Sequence, residues 1–229
     1  MKPPRAIEQV SHRGRPIVAG VLAASLLGAA GCGSGASSTG SGASSTSTAA
    51  HGTASAAVAA ALPAPTALVL PAADLHGFSA DGPPEMATTP QRWAAISNES
   101  DEVESEIKRL TRSGFQEGIG QHYKNPAGNG AISLAIVFDS AQGARAEVTR
   151  YLGLDPRYGL HVEGVKVPAI PGAIVVGEGA AGDVIFTTGR CFLLVGDQLG
   201  ASATQAQVNA VTIAGASALY GHVRELCAK

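Results

Sequence analysis

Residues 62–229 read as an α+β domain, a mainly antiparallel sheet with helices packed on it, an order that an α/β/α sandwich would also satisfy. Three observations predict it. Strand-like runs recur at hairpin spacing with Gly-rich turns between them. Amphipathic helical stretches with recognisable caps interrupt those runs, giving the order α-β-β-α-β-β-β-β-α. Finally, Ile132–Phe138, Ala173–Val176 and Phe192–Val195 are apolar at consecutive positions, the pattern of strands buried on both faces. Two arrangements satisfy that last pattern: helices on both sides of the sheet, or one sheet face lining a hydrophobic groove. About 168 residues suit one domain with a core of its own.

Ala67–Leu70, closed by Pro71, reads as a short edge strand. Pro90 opens a short helix carrying Trp93, the single tryptophan. Trp93 is expected in the core or at its edge, a stacking platform for a ligand being the other reading. Asp101–Arg112 is the clearest helix. Ser100 caps it, Asp101, Glu102 and Glu104 meet the positive end of its dipole, Lys108, Arg109 and Arg112 the negative end, and Gly114 closes it. Val103, Ile107 and Leu110 form its apolar stripe, and its charges read as a solvated face. Phe115–Tyr123 and Ala131–Phe138 form a hairpin whose turn places Asn129-Gly130 at φ > 0.

Ser140 caps a second helix running to Leu152, with Ala144, Val148, Tyr151 and Leu152 inward and Gly153 at its end. Leu160–Val167 reads as a strand with a bulge at Gly164, followed by Ala173–Val176, Asp183–Thr188 and Cys191–Val195 at hairpin spacing. The last helix starts near Ser202 or Thr204, the latter in capping-box register with Gln207, and buries Val208, Val211, Gly215, Leu219, Val223 and Leu226. This order of elements is loosely similar to the α/β/α sandwich of the PsbP/Mog1 type.

Ahead of the domain, Lys2, Arg5, Arg13 and Arg15 precede an apolar run from Ile17 to about Leu27, too short for a bilayer span of about 20 residues. This is the pattern of a secretory signal peptide, over residues 1–31. Gly28-Ala29-Ala30-Gly31 before Cys32 resembles the bacterial lipobox, with Ala29 where leucine is commonest. The resemblance implies cleavage before Cys32 and a diacylglycerol on its thiol. Residues 33–60 are almost entirely Gly, Ser, Thr and Ala and lack periodicity, so residues 32–61 are expected to be a lipidated cysteine and a flexible tether. A coil of that length spans on the order of 30 Å. Layout and composition resemble small lipoproteins of high-GC Gram-positive bacteria.

Beyond residue 31 the chain carries 12 basic against 17 acidic residues. Such an acidic balance argues against nucleic acid and against charge-driven binding to anionic lipid headgroups. Cys191 and Cys227 are an even pair in a chain read as exported, which suggests a disulfide, two buried thiols being the alternative.

Catalytic motifs fail. Gly177–Gly182 spells G-x-G-x-x-G, but a strand-like Asp183-Val-Ile-Phe186 follows where a dinucleotide fold opens a helix, so it reads as a hairpin loop. No G-x-S-x-G, HExxH or CxxC occurs. His76, His122, His161 and His222 do not pair at ligand spacing, and Glu178, Asp183 and Asp197 read as turn acids in preference to a Ca²⁺ site. Arg190 reads as a surface turn residue.

The expectation is therefore a non-enzymatic lipoprotein at the extracytoplasmic face of the cell membrane. It would need neither cofactor nor metal and would act as a binding or sensing module for an envelope component or a protein partner. The alternative is a carrier of an apolar ligand or lipid in a sheet-lined groove. Sequence alone assigns no ligand-binding residue.

Overall fold

A computed structural model describes residues 63–97, 103–158 and 161–228, the side chains of 154–158 excepted. The signal, Cys32 and the tether lie outside the described residues, as does the Ser100 cap. The elements, in order, are β1 (Ser79–Ala80), β2 (Glu85–Ala87), α1 (Pro90–Ser97), α2 (Val103–Arg112), β3 (Phe115–Lys124) and β4 (Gly130–Phe138). They continue with α3 (Ala141–Tyr158), β5 (His161–Val162), β6 (Ile174–Glu178), β7 (Ala181–Thr188), β8 (Cys191–Gln198) and α4 (Gln205–Val223). Among the described residues the strands make one antiparallel sheet, ordered β1-β3-β4-β8-β7-β6-β5, with β2 also paired to β3. The predicted α+β class, with helices packed on a mainly antiparallel sheet, is the observed one.

Period-two alternation sorts the central strands into two cores. On one face Ile119, Tyr123, Ala135, Val137, Val184, Phe186, Leu193 and Val195 pack beneath Ala216, Leu219 and Val223 of α4. On the other, Ile136, Phe138, Ile185, Phe192 and Leu194 meet Trp93 of α1, Leu110 of α2 and Ala144 of α3. A strand covered on both sides has no polar face to show, which is why β4, β6 and β8 read as apolar at consecutive positions.

Local signals explain most boundaries. Thr204 and Gln207 close the capping box at the start of α4. Ser140 Oγ accepts the Gly143 N–H at 3.2 Å at the start of α3. Cys191 and Cys227 form a disulfide, Cα–Cα 5.8 Å, tying the segment after α4 to the first residue of β8. Gly177–Gly182 is the β6–β7 hairpin, with Gly179 at φ 62°.

Several expectations are corrected. Pro65–Leu68 is a 3-10 helix, not an edge strand. The chain after it crosses the α4 face, held at Leu70, whose N–H donates to Ser133 Oγ at 3.0 Å and whose carbonyl accepts the Tyr123 hydroxyl. Side chains, not a ladder, satisfy this backbone. In the β3–β4 turn, Gly128 takes a positive φ and Gly130 does not, and Asn125 Oδ1 gathers the N–H groups of Ala127 and Asn129. Helix α3 runs through Gly153 to Tyr158. The strand expected over Leu160–Val167 is confined to His161–Val162, with Gly164 at φ 65° beyond it. Val103 and Leu226 are exposed rather than inward.

Candidate functional site

Helices α1 and α3 do not close over β3 and β4 completely. The gap is a groove floored by Gly120 and His122 of β3, Ile132, Leu134 and Ile136 of β4, and Phe192 of β8. Trp93, Ile96 and Ser97 wall one side, Glu147, Arg150 and Tyr151 the other, with Glu106 of α2 and Glu85 of β2 completing it.

Glycines shape the groove. Gly118 lets the Trp93 indole lie on the backbone of β3: a Cβ there would stand 2.2 Å from Trp93 Cε3. Trp93 is 5 % exposed, in the core as expected, and its edge also lines the groove. Two residues on, a Cβ at Gly120 would meet nothing within 4 Å. Gly120 stands opposite Glu85 on one side and Leu134 on the other, so its missing side chain is part of the hollow.

The wall between α2 and α3 is ionic. Arg109 bonds Glu106 three residues earlier and reaches across to Glu147 on α3, while Arg150 bonds Glu147 through Nε at 2.8 Å. Glu106 is 5 % exposed and Glu147 fully buried. The charges of α2 are thus not simply a solvated face, as the sequence suggested. Deep in the fold two carboxylates are balanced by two guanidiniums, an arrangement in which losing one partner is far costlier than losing both.

A second acidic feature lies toward the ends of β7 and β8. Asp183 and Asp197, expected as turn acids, are both buried strand residues. The groove residue Tyr151 donates its hydroxyl to Asp183, and its ring packs 6.3 Å from that of Phe192. Asp197 faces Thr212 of α4, and neither of its oxygens has a hydrogen-bond donor at bonding distance among the described residues. Burial is the main cause that pushes its carboxyl up to about 7; Thr212 opposes the rise and Asp183 adds to it. Because the Thr212 hydroxyl donates to the Val208 carbonyl at 2.8 Å, its relief of Asp197 is partial. Burial likewise raises Glu117, opposed by the charge of Arg190, which is half-buried at the β7–β8 turn.

His122 lies in the groove, whereas His161 pairs with Glu163 and His222 with Asp74, each at 2.8 Å. The groove therefore gathers residues that sequence reasoning left scattered. The two-sided apolar character of β4 and β8 was the signal that located its floor. Glu85, Gly120, Glu147 and Arg150 carried none, since each is defined as a site residue by what crosses above it.

No protein-family model matches the chain, and no curated protein matches it. Among solved structures, the extracellular domain of PknH from Mycobacterium tuberculosis is similar, with 14 % identity and a TM-score of 0.44. The match covers 68 % of this chain and 93 % of that one, a likeness too distant to establish a shared fold.

Proposed function

We propose that this protein is a membrane-anchored, extracytoplasmic lipoprotein that acts as a non-catalytic binding or sensing module and takes its ligand in the groove beneath α1 and α3. The observation that carries the ligand site is the hollow at Gly120, where a half-open floor of Ile132, Leu134, Ile136 and Phe192 meets the Trp93 indole. An apolar floor with a few polar groups at its rim is what small-molecule sites generally present. The buried carboxylates of the wall are held by arginines, an arrangement that fixes α2 against α3.

The same floor favours a second reading, a carrier that passes an apolar ligand or lipid onward. Native mass spectrometry of protein purified without detergent from its own envelope addresses both. Cargo of a few hundred daltons that leaves on mixing with acceptor vesicles supports the carrier; cargo retained there supports the sensor. An apo mass, together with Trp93 emission unmoved by any apolar titrant, would refute the ligand site.

The anchor reading rests on the basic start, the apolar run and the lipobox-like residues before Cys32. It predicts that Cys32→Ala releases the protein from membranes and that globomycin blocks its processing. Membrane retention and mass both unaltered in the Cys32→Ala protein would refute it.

A further inference from the structure

We propose that the groove selects an amphipathic cation, its apolar body on β4 and its protonated amine at Glu85. This rests on the reading of the groove as a ligand site. Most polar groups around it already have partners. Glu106 and Glu147 are held by Arg109 and Arg150, the Tyr151 hydroxyl donates to Asp183, and Ser97 Oγ donates to the Ala94 carbonyl at 3.3 Å.

Glu85 differs. Its Oε2 is buried and has no hydrogen-bond donor among the described residues. Its neighbour across the strand pair is Gly120, whose missing side chain leaves open space between Glu85 and Leu134. A donor entering that space would satisfy the carboxylate and reach apolar surface at once.

Charge points the same way. Three carboxylates and one guanidinium line the groove, and Arg109 behind the wall balances a second carboxylate. The charge left over is that of Glu85. Burying an acceptor without a donor is unfavourable, and a charged N–H donor relieves it more than a hydroxyl does. A carboxylate or phosphate headgroup would instead set like charge against like.

Dodecylamine, 1-dodecanol and dodecanoate share one chain and differ in the head, so they separate these effects. Each is titrated below its aggregation concentration into detergent-free chain carrying Cys32→Ala, with emission of Trp93, the single tryptophan, as readout. The amine is expected to bind about 10- to 100-fold tighter than the alcohol, the range a hydrogen bond to a charged group supplies. Dodecanoate should bind weakest. Glu85→Gln should bring amine and alcohol together, and Gly120→Val, which fills the hollow, should weaken both, with circular dichroism confirming that each variant is folded. Equal affinity for amine and alcohol in the parent protein, or a preference that survives Glu85→Gln, overturns the cation proposal and leaves the groove standing. If none of the three binds, or Gly120→Val changes nothing, the groove reading fails and this proposal with it.

Discussion

Asp197 offers a quantitative test of how tightly the described structure is packed. It is 4 % exposed, on β8 opposite Ala131 and Gly182, with no hydrogen-bond donor at bonding distance from either carboxyl oxygen among the described residues. The unfolded chain gives up this proton near 3.8, whereas the folded protein holds it to about 7, desolvation being the main cause. Between those values the folded state binds more protons than the unfolded one, so stability is full below about pH 4 and falls as pH rises through 7. At about 1.4 kcal/mol per unit, a rise of about three units makes the loss on the order of 4 kcal/mol by pH 8, an upper figure because water entering the site would reduce it.

Asp197→Asn keeps the shape and removes the ionisation. Relative to the parent protein it should gain stability steadily from pH 4 to pH 8, ending a few kcal/mol ahead. Urea unfolding of both proteins at intervals of half a pH unit measures the difference and cancels the titration of every other group. Two parallel curves across that range would show that Asp197 is solvated or already paired, and the reasoning from burial would be wrong.

Three further perturbations test other parts of the structure. Replacing Cys191 and Cys227 by serine removes a cross-link between residues 36 apart, worth roughly 4 kcal/mol on the chain-entropy account; a midpoint shift smaller than 1 kcal/mol in urea would contradict it. Arg109→Leu should destabilise by about 3–5 kcal/mol, because Glu106 and Glu147 both stay buried with one fewer partner, and Arg109→Leu with Glu147→Leu should cost less than the sum of the two single changes. Purely additive losses in that double-mutant cycle would deny the network. Gly118→Ala should displace Trp93 at a cost of about 1–3 kcal/mol and shift its emission to longer wavelength, and an unchanged spectrum would mean the indole does not rest on β3.

What the sequence disclosed and what it hid divide along one physical line. Features governed by local chemistry were legible: the Thr204–Gln207 capping box, the Ser140 cap, the hairpins, and the double-sided apolar strands, which left open whether helices cover both sheet faces or one face lines a groove. Their causes lie within a few residues of each other in the chain. The extent of β5 and the path of Pro65–Leu70 were not legible, because both depend on partners far away, Val176 and Gly177 for one and Ser133 and Tyr123 for the other.

The groove falls on the same side of that line. Glu106 and Arg109, and again Glu147 and Arg150, are three residues apart, a spacing that on an isolated helix describes a solvated ion pair of little consequence. Only the approach of α2 to α3 buries Glu147 and makes the four groups one unit. Glu85 is hidden for the complementary reason: its significance comes from the side chain that Gly120 lacks, and a missing side chain becomes a hollow only once a second strand and a helix surround it. Selection on such a site would act on the empty volume as much as on the carboxylate. Filling Gly120 should therefore weaken binding as surely as neutralising Glu85 removes discrimination, and the two losses are separable because the first lowers affinity for every chain and the second only the preference for the amine.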